Sequence, residues 1–221
     1  TICDVLASSP RKKGYRISEI NNFEFYEQKR LTREHHDLKE QLNVYTNKLQ
    51  KCIDIVFPEY NSLFKSKYGT VYMKVLKAFG SADSIAHADI RNIRKCFETN
   101  RNGRTISLTP EKLKEAAKHS IGSPSKAEVI EMRHLIDLIE LIKEQIKDVD
   151  IKIEEFSTQL NSPILTIPGI SHFSGTSILA ELGDLRNYSK ASQIIKFAGV
   201  SPYKHQSSQY EAQHTAITKK G

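Results

Sequence analysis

The strongest constraint in this chain is a seam of apolar residues. Met132, Leu135, Ile139, Ile142, Ile146, Val149, Ile153, Phe156 and Leu160 step alternately by three and four. Sustained over four heptads, that spacing predicts one long helix whose apolar stripe must face another helix. Ser123 followed by Pro124 supplies a candidate N-cap and first-turn proline, and Pro163 ends the run. A second seam reads Leu31, His35, Leu38, Leu42, Tyr45, Leu49, Cys52 and Val56, and Pro58 stops it. His35 is its one strongly polar position, read as an edge or register residue rather than a ligand. The two helices can pair within one chain as a hairpin or between two chains, and the pattern allows both.

Between the seams lies a smaller helical region. Val71–Phe79 is amphipathic, Gly80-Ser81 breaks it, and two short helices are expected over Ala82–Ala88 and Asp89–Phe97. Thr109-Pro110 starts another, over Glu111–Ser120. The expected fold is therefore mainly α: a coiled-coil-like hairpin of long heptad helices, a small helical insert and a compact C-terminal helix-hairpin-helix-type domain. The domain bounds that follow are 1–30, an irregular N-terminal remnant, 31–160 and 161–221. A short β-hairpin is expected somewhere in Val200–Ile217, where the helix signals fade.

Composition narrows the class. Cys3, Cys52 and Cys96 are an odd, widely spaced set without a Cys-x-x-Cys or Cys/His cluster. A disulfide scaffold and a zinc site are thereby disfavoured, and reduced intracellular thiols are the simpler reading. Phe156–Ala180 holds no Asp, Glu, Lys or Arg, but Pro163, Pro168, Gly169 and Gly175 prevent one apolar helix, so no membrane span is read. The net charge is +7 and uneven. Residues 1–127 carry +9, residues 128–160 carry −5 and residues 186–221 carry +5. Two basic ends around an acidic helix suit a polyanion partner, although a lysine-rich surface explains them equally.

The informative stretch begins at Ile164. Ile167-Pro168-Gly169-Ile170-Ser171 has the form of a helix-hairpin-helix turn, with the next helix expected from Phe173 or Ser174. Gly169 allows a tight turn and close backbone approach to a phosphate. Unpaired N–H groups at the following helix start can hold that phosphate. Pro168, Gly169, Ile170, Ser171 and Ser174 are the candidate DNA-backbone contacts, with Ser171 standing where Gly is more usual. The alternative is a corner that touches only protein.

Downstream come Glu181-Leu182-Gly183-Asp184-Leu185-Arg186-Asn187-Tyr188, then Ala198-Gly199-Val200-Ser201-Pro202, Gln206-Ser207-Ser208 and Thr218-Lys219-Lys220-Gly221. This ordered series resembles the C-terminal domain of IS-one-ten family insertion-sequence transposases over residues 164–221. The resemblance implies a DNA transposase, acting in DNA transposition and recombination through a serine nucleophile that attacks a phosphodiester. It maps that serine to Ser207, with Ser208 at the following Gly position as the fallback. Lys204, Lys219 and Lys220 become candidate DNA contacts. His205 is either a base or a solvated loop histidine.

Family members also hold Mg²⁺ on a RuvC-like acidic domain and use an element-encoded guide RNA. No such acidic set is legible in Thr1–Arg30, so no metal ligand is assigned to this chain. The expectation is a transposase fragment, inactive alone, DNA-associated in a bacterial cytoplasm and self-associating through its heptad helices. Two other readings stay open: a non-catalytic DNA-binding module, and a coiled-coil interaction protein with a basic tail.

Overall fold

The computed structural model describes residues 23–98, 108–123, 125–160, 162–201, 206–207 and 210–211. Two long helices dominate: α1, Phe23–Val56, and α7, Lys126–Leu160. Between them lie α2 (Tyr60–Leu63), α3 (Thr70–Phe79), α4 (Ala82–His87), α5 (Ile90–Phe97) and α6 (Pro110–Lys118). After α7 come a 3₁₀ turn (Pro163–Thr166), α8 (His172–Leu182), a second 3₁₀ turn (Leu185–Asn187) and α9 (Ala191–Phe197). Strands β1 (Gln206–Ser207) and β2 (Tyr210–Glu211) pair antiparallel inside the stretch expected to hold a hairpin. The fold is mainly α, as the periodicity requires.

The chain divides into two compact units, 34–151 and 1–33 with 152–221. In the 34–151 unit the two seams meet. Leu38 packs with Ile142 and Ile146, while Leu49, Cys52 and Val56 share a core with Met132, Leu135 and Ile139. Rising numbers on α1 thus meet falling numbers on α7, so the pair is an antiparallel hairpin within one chain. His35 sits at the polar end of this contact, its Nε2 3.1 Å from Asp150 Oδ1. Burial pushes the His35 imidazole below its ordinary value, against the opposing pull of Asp150. The apolar stripe of α7 is wider than a strict seam, because Ile136 is also fully buried.

The start of α7 differs from the sequence expectation. The helix begins at Lys126, and the Ser125 hydroxyl donates to the Glu128 carboxylate one turn on. Ser123 is used elsewhere: its N–H donates to Ile55 O at 2.7 Å. Pro124 lies outside the described residues. The 119–123 strap is tied down just past the end of α1, with Glu59 accepting from the Ser120 hydroxyl at 2.6 Å and the Ile121 N–H at 3.2 Å. A methyl group at Gly122 would stand 2.6 Å from the Val56 carbonyl carbon, so only glycine fits.

The insert is cemented by aromatic rings. Tyr60 packs on Phe57, Phe64 and Tyr72 with centroids 4.8–5.4 Å apart, and its hydroxyl donates to Tyr72 O at 2.8 Å. Tyr68 adopts φ 60°, unusual for a residue with a Cβ. Lys143 Nζ donates to its carbonyl at 3.0 Å, and its hydroxyl donates to Gln50 Oε1 at 3.4 Å. The short helices start within one residue of where the sequence places them, α5 at Ile90 and α6 at Pro110, with Ser81, Asp89 and Thr109 as N-caps accepting from backbone N–H groups.

Candidate nucleic-acid interface

The other unit holds the stretch singled out as a DNA contact. Ser162 caps the 3₁₀ turn, with Pro163 in its first position. The chain then reverses at Ile167-Pro168-Gly169-Ile170, closed by the Ile170 N–H donating to Ile167 O at 3.1 Å. Proline at the second position and Gly169 at φ 90° in the third are what a type II turn demands. Nothing lies within 4 Å of where a Gly169 Cβ would sit, and Pro168 and Gly169 are exposed. The glycine therefore serves backbone conformation and leaves open space in front of the turn.

Helix α8 follows at once. It starts at His172, one or two residues earlier than the sequence suggested, because Ser171 is its N-cap. The Ser171 hydroxyl accepts from the Ser174 N–H at 3.2 Å, and the two hydroxyl oxygens are 3.1 Å apart. A glycine in that place could not cap in this way, so the departure at Ser171 has a structural role. Gly175 then allows close packing. A Cβ there would come 2.7 Å from Leu165 Cδ2, 3.3 Å from Ile164 Cγ2 and 3.4 Å from Ile170 Cγ2. The turn and α8 thus form one corner, with the helix start beside the exposed turn.

Two contacts that fix α8 had no signal in the motif. His172 Nδ1 shares a hydrogen bond with the Ser157 hydroxyl on α7. At the other end Glu181 takes Arg33 Nε at 2.9 Å, Arg33 Nη2 at 3.3 Å and Lys29 Nζ at 2.8 Å. Burial raises the Glu181 carboxyl, but these hydrogen-bonded cations outweigh it and hold the group below its ordinary value. The clue in the sequence was that Glu181 is the first charge after twenty-five uncharged residues, with Lys29 and Arg33 one helical turn apart on α1. Asp184 is likewise occupied, accepting from the Arg186 backbone N–H at 2.9 Å and its Nη2 at 2.8 Å. Hydrogen bonds from Arg186 lower the Asp184 carboxyl.

The remaining candidates are only partly placed. Ser207 lies in β1, opposite Tyr210 of β2. Ser208, Lys204, Lys219 and Lys220 lie outside the described residues. Among the described residues no group of three His, Cys, Asp or Glu side chains is arranged to hold a metal ion. Glu181 and Asp184, two of the three carboxylates of residues 164–221, are engaged by cations. No helix among the described residues is long and apolar enough to cross a membrane.

Comparison with known proteins places this region. Residues 161–221 match the family model described as Transposase IS116/IS110/IS902 family. No curated protein matches the chain.

Proposed function

Taking residues 161–221 as a domain of the Transposase IS116/IS110/IS902 family, we propose that this chain works within a DNA transposase and grips the DNA backbone through the corner at Pro168–Ser174. The family match carries the reading, and the geometry of the corner supports it. An exposed turn with open space before it precedes the start of α8, where the Ser171 cap takes the Ser174 N–H but the positive end of the helix still favours a phosphate oxygen. Because such a contact touches only the sugar–phosphate chain, it positions DNA without reading sequence.

In this reading Ser207, with Ser208 as the fallback, supplies the hydroxyl that attacks the phosphodiester. The serine must lose a proton as it attacks, and the phosphate needs compensating positive charge. Lys204, Lys219 and Lys220 are the proposed source of charge from this chain. Mg²⁺ would supply Lewis-acid chemistry to the reaction, and no ligand for it is proposed from this chain. A guide RNA, self-association through the long helices and a bacterial cytoplasmic setting belong to the same proposal.

The test exploits the cap. Glutamate in the first turn of a helix is favourable, and a glutamate side chain at position 174 would complete a capping box with Ser171. The same carboxylate would repel a phosphate at that helix start. Ser174→Glu should therefore leave Tm unchanged or slightly raised while weakening duplex-DNA binding, by about tenfold at low salt. Fluorescence anisotropy on the full chain reads this directly. Unchanged DNA affinity in the folded variant would remove the corner from the DNA contact.

A further inference from the structure

The insert between the two long helices is strongly basic. Residues 60–125 carry 12 basic and 5 acidic side chains, a balance of +7, so the rest of the chain is neutral overall. Arg101 and Arg104, two of the twelve, lie outside the described residues. This excess is not in the C-terminal domain. It belongs to the helical insert of the 34–151 unit.

Part of the excess lies on α5 and α6, where Arg91, Arg94, Lys95, Lys112, Lys114 and Lys118 stand against Asp89, Glu98, Glu111 and Glu115, six bases to four acids. On α5, Arg91, Arg94 and Lys95 are exposed and spaced i, i+3, i+4, which puts them on one side of the helix. Ile93 on the opposite side is fully buried. Helix α6 continues the face, since Arg94 Nη2 meets Glu111 Oε1 at 2.9 Å and Lys114 Nζ donates to Ala88 O at 2.7 Å. Exposed Lys112 lies beside Glu111 in the first turn of α6. Both helices are rooted in the core by Ile93 and Leu113, each with no exposed surface.

Internal carboxylates use up only part of this charge. Asp83 pairs with His87, Asp89 with Arg91, Glu111 with Arg94, and Glu115 with Lys118 and His119. Glu98 stands at the end of α5, where its N–H donates to Arg94 O. Lys95 and Lys112 have no carboxylate within 4 Å among the described residues. The pairs that do form are largely exposed, and such pairs are weak enough for a polyanion to compete with them.

The face is also free of stacking groups. No large apolar or aromatic side chain of α3–α6 is exposed among the described residues. Single-stranded nucleic acid is typically held by bases stacked on aromatic rings, whereas a purely cationic face suits the phosphates of a duplex.

We propose that the α5–α6 face is a second DNA contact, binding duplex backbone through Arg91, Arg94, Lys95 and Lys112 without reading sequence. The choice of DNA rests on the transposase reading above; the location of the face does not. Each phosphate contact of this kind releases counterions and makes binding steeply salt-dependent.

The test is anisotropy of the full chain with a fluorescein-labelled random-sequence DNA duplex over a salt series. A Lys95→Glu/Lys112→Glu double variant should bind about tenfold or more weakly at low salt, with a salt slope shallower by about 2. If charge reversal lowers Tm, Lys95→Gln/Lys112→Gln is read instead, with the same slope change expected. Wild-type affinity and slope in a folded variant would overturn the proposal. So would a loss confined to binding of an RNA hairpin of equal length. Ser174→Glu, run beside it, separates the two ideas. A loss only in the lysine variants supports this face and removes the corner, and a loss only in Ser174→Glu does the reverse.

Discussion

The two units solve the problem of a core in different ways. The 34–151 unit buries large apolar and aromatic side chains with almost no exposed surface, among them Tyr60, Phe57, Leu49, Ile53 and Ile136. Its hydroxyl groups are satisfied where they are buried, as with Tyr60 on Tyr72 O. The other unit encloses Gln28, Thr32, Ser157 and Thr176, and leaves Ile167, Ile195, Phe197 and Val200 about half exposed. Gln28 Oε1 and Thr176 Oγ1 are buried without a hydrogen-bond partner among the described residues. The first interior is largely apolar and aromatic; the second mixes Ile153, Leu179 and Ala180 with buried polar groups. The comparison teaches that the motif-bearing part of the chain tolerates buried polar groups that the heptad-bearing part satisfies.

Three changes would sharpen or break that contrast. The largest effect is expected from Gly122→Ala in the apolar unit. The added methyl meets backbone rather than a movable side chain, so the 119–123 strap must leave the end of α1. A loss of about 3 kcal/mol is expected, read as a Tm lower by roughly 6–12 °C. A wild-type Tm would show that the strap carries no load.

Thr176→Val should act in the opposite direction. It keeps the shape and removes a buried hydroxyl that lacks a partner, a gain of about 1 kcal/mol. Slower amide exchange in α8, with α3 unchanged, would localise the gain to the polar unit. Faster exchange in α8 would mean that the hydroxyl is useful there.

The smallest effect concerns acid. The folded Glu181 carboxyl lies below its ordinary value of 4.5, so its ion pairs stabilise above that pH. The contribution disappears as pH falls from 4.5 through the lower folded value. Glu181→Gln should flatten this acid-side decline in the stability of the polar unit, with an effect well under about 1 kcal/mol because the pair is partly exposed. An unchanged decline would place the acid sensitivity in other carboxylates.

Much of this was legible in the residues. Both seams are found largely buried, because a three-four repeat leaves a helix few other ways to hide its apolar stripe. Leu160, the last seam position, is more exposed at the helix end, and Ile136 and Ile53 widen the buried stripes. The Pro-Gly turn was also readable, since only a few backbone conformations suit that pair. Long-range polar contacts were not. Nothing local links Ser157 to His172, or Glu181 to Lys29 and Arg33, across 148 residues in the case of Arg33. The Ser171 cap was hidden by reading that position against a glycine. The charge of the insert was visible as a count, but its face required knowing which side of α5 Ile93 occupies.

Tyr68 carries a consequence for chain length. Its left-handed backbone is held at both ends of the residue, the carbonyl by Lys143 and the ring hydroxyl by Gln50. Adding or removing one residue between Phe64 and Thr70 would break at least one of those anchors. This connection is therefore expected to tolerate substitution better than insertion, and homologues of different length should differ elsewhere. A turn that looks like an ordinary surface loop acts as a fixed spacer between α2 and α3.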